Sequence, residues 1–79
     1  MGVTVRLFAA ARAAAGVSQL EVAAGSVQEI LDSLVASHPA LSQVLPQCSY
    51  LLDEVALHEL GAQVADGSSL DILPPFAGG

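Results

Sequence analysis

The residues best suited to chemistry in this chain are the last six, namely Pro74, Pro75, Phe76, Ala77, Gly78 and Gly79. Glycine has no Cβ, so a Gly-Gly end can enter a channel that excludes other residues. The two prolines favour a stiff, extended approach to that end. The aromatic ring between the prolines and the glycines has little of its own domain to pack against, which favours contact with a partner. The pattern predicts a tail of residues 74–79 that inserts into another protein.

The reactive group of such a tail is its terminal carboxylate, on Gly79. A carboxylate is a poor electrophile, so a separate enzyme must first adenylate it with ATP. Sulfur can then displace AMP to give a thiocarboxylate, or a group of another protein can displace AMP to give an amide or a thioester. In either branch we expect the chain itself to bind no cofactor, because the activating enzyme uses the ATP.

The other side chains form no pattern typical of a catalytic or metal site. Cys48 lies ten residues from both His38 and His58, a spacing that matches no common zinc or iron motif. Asp53 and Glu54 are adjacent in a predicted strand, so their side chains are expected on opposite faces, where they cannot act as a paired acid and base. No glycine-rich phosphate loop precedes the predicted helix. We therefore expect no metal site, no nucleotide site and no catalysis by these side chains.

Charge and hydropathy argue against two further classes of function. The chain has eight acidic residues and only two basic ones, Arg6 and Arg12, for a formal net charge of -6. Two cations cannot neutralise a run of phosphates, so nucleic-acid binding is not expected. The longest stretch without a charged residue, 33–52, contains histidine, glutamines, serines and two prolines, so no membrane span is expected. The single cysteine cannot form an internal disulfide, which favours the reducing cytoplasm.

Alternation of apolar and polar residues predicts short strands, and one segment has helical periodicity. The predicted strands are residues 3–8, 17–22, 50–57, 60–64 and 70–73. A helix is predicted from Ser26, which forms a capping box with Glu29, to His38, because Pro39 follows. Its apolar stripe consists of Val27, Ile30, Leu31, Leu34 and Val35. Residues 40–49 are predicted to be a loop with a short helical turn.

The order of these elements predicts the fold. A short alanine-rich connection, residues 9–15, joins the first two strands as an antiparallel hairpin, and the helix then returns the chain parallel to the first strand. The result is an α+β fold of the β-grasp, ubiquitin-like type: a mixed sheet of four to five strands with one main helix across a face. Its final strand would release the tail from an edge of the sheet. We predict a single domain over residues 1–79, with residues 1–73 globular and residues 74–79 protruding.

Two further side chains lie near the first strand. Phe8 is one of only three aromatic residues, beside Tyr50 and Phe76, and is expected to pack in the core. Arg12 follows in the alanine-rich connection and is expected to be a solvent-exposed loop charge.

Several segments together resemble the small, sulfur-carrier subunit of molybdopterin synthase, a ubiquitin-like sulfur carrier. They are the run VRLFAAAR at residues 5–12, the alanine-rich segment that ends at Gly16, the turn Asp66-Gly67, and the ending LPPFAGG at residues 73–79. The likeness covers nearly the whole chain in order and length. The Pro-Pro-x-x-Gly-Gly ending is its most specific part, because the strand and helix pattern is common to all ubiquitin-like sulfur carriers.

The resemblance implies a reaction sequence for Gly79. An adenylyltransferase of the ubiquitin-activating type adenylates its carboxylate, and sulfur from a donor enzyme converts it to a thiocarboxylate. Residues 74–78 insert into the active site of a large subunit, with which the chain forms a heterotetramer. There the sulfur passes to cyclic pyranopterin monophosphate and builds the dithiolene of molybdopterin. The resemblance thus implies a chain that supplies sulfur to a sulfurtransferase and is non-catalytic alone.

Two departures and several alternatives accompany this resemblance. Ala13 stands where the family often has an acidic residue, which weakens any ion pair expected around Arg12. The chain contains no lysine, which argues against a modifier that forms chains of its own copies. Related thiocarboxylate carriers for cysteine synthesis, thiamin synthesis or tRNA thiolation stay open as alternatives, as does a ubiquitin-like protein modifier.

Overall fold

The computed structural model describes residues 2–75 and contains seven strands, two α-helices and two 3₁₀ turns within that range. The strands are β1 (Val3–Leu7), β2 (Gln19–Val22), β3 (Gly25–Ser26), β4 (Ser49–Leu52), β5 (Val55–Leu57), β6 (Gln63–Val64) and β7 (Ser69–Leu73). The helices are α1 (Ala9–Ala15) and α2 (Val27–Ser37), and the 3₁₀ turns span Pro39–Gln43 and Leu45–Gln47.

Five of the strands form one mixed sheet in the order β2-β1-β7-β4-β5, and β3 pairs with β6 beside it. Strands β1 and β7 run parallel, with Val5 opposite Leu70, whereas the other neighbours are antiparallel. This arrangement, with α2 packed on one face, confirms the predicted β-grasp fold. The prediction that the final strand lies at an edge is wrong, because β7 is the central strand, with β1 on one side and β4 on the other.

The core lies between the sheet and α2. Strand alternation points Val3, Val5 and Leu7 of β1 to the same face as Leu70 and Ile72 of β7, and all five side chains are buried. The helix covers them with four buried residues of the predicted stripe, Val27, Ile30, Leu31 and Leu34. Val35, the fifth stripe residue, is partly buried against the same cluster. The period-2 and period-3.6 patterns therefore meet in one apolar layer.

Helix α2 begins with the predicted capping box. The Ser26 hydroxyl accepts a hydrogen bond from the Glu29 amide at 3.1 Å, and the Glu29 carboxylate accepts one from the Ser26 amide at 2.8 Å. Both amides belong to the first turn, where no helical carbonyl can accept from them. The helix ends at His38, directly before Pro39, as predicted.

Replacing Ser26 by alanine is expected to lower the free energy of unfolding by about 1 kcal/mol, because the Glu29 amide loses its acceptor. Urea unfolding followed by circular dichroism measures this change. Ser37→Ala, at the exposed other end of the helix, is the matched control and is expected to have little effect. Equal effects of the two substitutions would contradict the capping role.

The alanine-rich connection between β1 and β2 is a helix, not the short turn that we predicted. Its residues have the highest helix propensity, and Ala11 is buried against the core. Gly16 ends the helix in the left-handed conformation, with φ of 78°, and its amide donates to the Arg12 carbonyl at 2.8 Å. Arg12 is exposed, as predicted, but lies in the last turn of α1 and not in a loop.

The segment predicted as one strand over residues 50–57 is a hairpin of β4 and β5. Asp53 and Glu54 form its turn, with φ of 48° and 70°, so they do not alternate across a strand as we predicted. The turn is held by Ser69, whose amide donates to the Asp53 carboxylate at 2.8 Å and whose carbonyl accepts from the Asp53 amide at 2.9 Å. Both acidic residues are exposed to solvent.

Phe8 is not a core residue: 37% of it is exposed. Its backbone is extended, with φ of -119° and ψ of 152°, so the alternation of β1 continues through it. Because Leu7 points into the core, Phe8 points to the opposite face of the sheet, as Thr4 and Arg6 do. The prediction failed because strand alternation outweighs the general tendency of phenylalanine to be buried.

Candidate functional site

The candidate site is the point at which β7 ends and the predicted tail begins. We call Leu73, Pro74 and Pro75 the tail root. Leu73 is partly buried, Pro74 is buried and Pro75 is exposed. The other residues predicted for the tail lie outside the described residues; they are Phe76, Ala77, Gly78 and Gly79. Of the two prolines assigned to partner binding, Pro75 is therefore the one with an exposed surface.

The tail root adjoins a small cleft of about 240 Å³. The two prolines form one side of it, and α1 and the 3₁₀ turns form the rest, through Ala10, Gln43, Val44 and Gln47. Strand β7 is hydrogen-bonded to a strand on each side, so the tail root leaves from the central strand of the sheet. This pairing fixes the position of the tail root.

The sheet has an open face, which is the face opposite α2. Alternation places Thr4, Arg6, Asp71, Leu73 and Leu51 on it, because Val3, Val5, Leu70 and Ile72 point to the core. Phe8 joins this face at the end nearest the tail root, since its amide donates to the Ile72 carbonyl. Phe8, Leu51 and Leu73, which we call the apolar patch, thus present exposed or half-buried apolar surface beside the tail.

A charged pair lies within the open face. Arg6 and Asp71 are direct register partners on β1 and β7, and the guanidinium donates to both carboxylate oxygens. The Nε–Oδ1 distance is 2.6 Å and the Nη2–Oδ2 distance is 2.7 Å. Asp71 is only 5% exposed, although it lies on the solvent side of the sheet. Its hydrogen bond and its charge both hold the pKa of the Arg6 guanidinium above its ordinary value.

Cys48 shows the properties of a structural thiol. It is partly buried, its Sγ donates to the Val44 carbonyl at 3.2 Å, and burial raises the pKa of the thiol above its ordinary value. A raised pKa keeps the thiol protonated at neutral pH, and the thiolate is the reactive form. Cys48 and His58 line one shallow cleft of the surface. Within residues 2–75 no three potential ligands among histidine, cysteine, aspartate and glutamate come close enough to hold a metal ion.

Cys48→Ala is therefore expected to leave the rate of sulfur transfer unchanged. In the native chain, iodoacetamide is expected to alkylate Cys48 slowly at neutral pH and much faster in urea, because unfolding removes the burial that raises its pKa. Mass spectrometry follows the alkylation, and the transfer assay described below follows the function. A strong loss of transfer in a variant with an unchanged unfolding midpoint would instead assign the thiol a chemical role.

The part of the chain that the structure describes contains no helix of the length and apolar character needed to cross a membrane.

The sequence pattern of the ThiS family matches residues 5–79. The molybdopterin synthase sulfur carrier subunit of Chlamydomonas reinhardtii is 31% identical over 83 residues, and the alignment covers 100% of both chains. The crystal structure of SAMP1 from Haloferax volcanii superimposes with a TM-score of 0.82 at 32% identity, over 98% of both chains. The complex of subunits 1 and 2 of molybdopterin-converting factor from Helicobacter pylori 26695 gives a TM-score of 0.76 at 24% identity, over 100% of both chains.

Proposed function

The chain belongs to the ThiS family, and on that basis we propose that it is the sulfur-carrier subunit of a molybdopterin synthase. The observation that carries this proposal is the full-length likeness, at 31% identity, to a molybdopterin synthase sulfur carrier subunit. In the proposed reaction the Gly79 carboxylate attacks ATP, releases pyrophosphate and becomes an acyl adenylate. A sulfur donor enzyme then supplies sulfur at the oxidation level of sulfide, which attacks the acyl adenylate and displaces AMP. The resulting thiocarboxylate gives its sulfur to cyclic pyranopterin monophosphate, and water supplies the oxygen that returns the Gly79 acyl group to a carboxylate.

The role of the domain in this proposal is to present the tail. Strand β7 is central, so the tail starts from a backbone that is hydrogen-bonded on both sides. Pro74 is the last buried residue of the described part of the chain, and Pro75 after it is exposed. The five residues after Pro74 could extend at most about 18 Å, which sets the depth to which Gly79 can enter a partner. The carrier therefore positions Gly79 within the partner, and the partner supplies the catalytic groups.

The apolar patch supports a docking partner. Phe8, Leu51 and Leu73 form this patch on the open face beside the tail root, so a protein that receives the tail can cover them at the same time. Burial of exposed apolar surface would then favour the complex. The Helicobacter pylori relative of this fold is a complex of two subunits, which supports a large subunit as the partner. We propose that the same large subunit and this chain assemble as a heterotetramer in the cytoplasm.

Phe76→Ala is expected to weaken binding to the large subunit by about 2 kcal/mol or more, the range of an aromatic hot spot. The unfolding midpoint of the isolated chain should stay nearly unchanged, because we predict that this ring contacts the partner and not the core of its own chain. Isothermal titration calorimetry and urea unfolding of the same variant separate the two effects. Unchanged affinity with a lowered midpoint would place the ring in this chain's own core.

A ubiquitin-like modifier is the second candidate function, and the likeness to Haloferax volcanii SAMP1 favours it. In that case an amine of a target protein, not sulfur, displaces AMP from Gly79. The absence of lysine means that one copy offers no side-chain amine to the next, so chains of copies are not expected. The carriers for cysteine, thiamin and tRNA thiolation use the same thiocarboxylate and differ from the main proposal only in the acceptor.

Reconstitution tests the proposed acceptor. The thiocarboxylated chain is mixed with the large subunit from the same organism and with cyclic pyranopterin monophosphate, and the product is analysed for a dithiolene. We expect the product with the thiocarboxylated chain and none with the unmodified chain, which is the control. Thiocarboxylated chain that binds the large subunit but transfers no sulfur would contradict this acceptor and favour one of the other thiolation pathways.

A further inference from the structure

Among residues 2–75, Arg6 and Asp71 form the only salt bridge, and two hydrogen bonds join their side chains. Asp71 occupies the centre of the open face, and its neighbours in register are Arg6 on β1 and Leu51 on β4. Replacing such a pair by packed apolar residues is often neutral or stabilising. An aspartate on the central strand that is only 5% exposed therefore points to a role beyond stability.

Asp71 holds the Arg6 guanidinium through two of its three nitrogen atoms. The two hydrogen bonds engage Nε and Nη2 of Arg6, and the described residues offer no partner to Nη1. The Arg6 side chain remains 42% exposed. Guanidinium geometry is planar and rigid, so binding along one edge orients the remaining donors. Arg6 thus presents oriented N–H groups at the surface.

These donors lie within the surface that the proposed large subunit would cover. Arg6 is two residues before Phe8 on one side, and Asp71 is two residues before Leu73 on the neighbouring strand. A spacing of two along a strand keeps side chains on the same face, roughly 7 Å apart. The donors are therefore adjacent to the apolar patch.

The charges around Arg6 indicate which acceptor it can bind. Asp71 neutralises the guanidinium, and the charge of Glu54 adds further negative potential at the same place. A carboxylate of a partner would meet this potential unfavourably, whereas a main-chain carbonyl oxygen carries no net charge. A pair whose charges balance is also easier to desolvate than a lone cation.

We propose that Arg6 is a specificity-determining residue of the docking face, and that Asp71 positions it to donate to a main-chain carbonyl of the large subunit. This inference rests on the proposed function, because the large subunit is its partner. The contact made by Arg6 would then fix the orientation of the carrier while the tail enters the partner.

The test compares a double variant, Arg6→Ala with Asp71→Ala, against the wild type in binding to the large subunit. Removing both residues leaves no unpaired charge, so the loss reports the contact to the partner and not a stranded carboxylate. We expect an affinity about tenfold lower, as for one hydrogen bond to a charged group. We also expect the ratio of affinities to be the same at low and high salt, since the acceptor is uncharged.

The matched control removes a second polar pair farther from the tail root, Thr4→Ala with Glu21→Ala. Thr4 donates to Glu21 at 2.5 Å, and this contact joins β1 to the edge strand β2. We expect this control variant to bind the large subunit with the affinity of the wild type. Urea unfolding of each variant identifies effects on the fold, and Arg6→Gln, which keeps a donor to Asp71, serves where the double variant does not fold.

The outcomes distinguish failure of the Arg6 proposal from failure of the proposed sulfur-carrier function. Wild-type affinity in the folded Arg6 variants would show that the pair is only structural and would overturn this proposal alone. A loss that disappears at high salt would identify a charged acceptor and would overturn the carbonyl assignment. A wild-type chain that does not bind the large subunit would contradict the proposed function itself, and this inference with it.

Discussion

Deletion of Gly79 is expected to abolish sulfur transfer and to leave the free energy of unfolding nearly unchanged. The proposed adenylate and thiocarboxylate form on the carboxyl carbon of this residue, so the shortened chain would present its carboxylate one residue too early. We expect folding to be independent of Gly79, because the residues from Val3 to Ile72 already form one buried apolar core within the described part of the chain. Reconstituted transfer and urea unfolding of the deletion variant measure the two effects.

The contradicting result for this deletion is equally specific. If the shortened chain transferred sulfur at the wild-type rate, Gly79 would not be the carrier residue. If the deletion strongly lowered the unfolding midpoint, the end of the chain would be part of the folded domain. A variant with an unchanged midpoint and no transfer is the only result in agreement with the account.

Leu34→Ala is expected to have the opposite effect and to cost about 2–5 kcal/mol of unfolding free energy. Leu34 is 2% exposed and lies on the face of α2 that covers the sheet, so alanine would leave a cavity. Domains of this size are stable by only about 5–15 kcal/mol, so the loss is a large fraction of the total. Urea unfolding at constant pH measures the difference.

Leu60→Ala is the matched control for this substitution, because Leu60 is 40% exposed. The same atoms are removed in both variants, but only Leu34 leaves a cavity. We expect the folded fraction of Leu34→Ala to retain sulfur transfer, since the open face and the tail root are on other elements. Equal costs for the two leucines would contradict the placement of α2 on the sheet.

The sequence predicts those parts of the fold that depend on local rules. Period-2 alternation identifies β1 and β7, and the Ser26–Glu29 box identifies the start of α2. The helix α1 was missed because a run of alanines has helix propensity but no apolar and polar periodicity. The Asp53–Glu54 turn was missed because the residues most typical of a tight hairpin, glycine and asparagine, are absent from it.

Local sequence rules do not predict the candidate site, because its residues become neighbours only through the order of the strands in the sheet. Arg6 and Asp71 are 65 residues apart in sequence, and only the parallel pairing of β1 with β7 makes them neighbours. The same pairing gives β7 its central position. The exposure of Phe8 could have been predicted by continuing the alternation of β1 for one more residue.

The most direct test of the central claim is the intact mass of the chain after incubation with its activating enzyme, ATP and a sulfur donor. We predict that one oxygen is replaced by sulfur, and that fragmentation assigns the change to Gly79. Omission of ATP, the control, should leave the mass unchanged. A chain that stays unmodified with ATP present, or that appears only in covalent adducts with other proteins, would contradict the sulfur-carrier function.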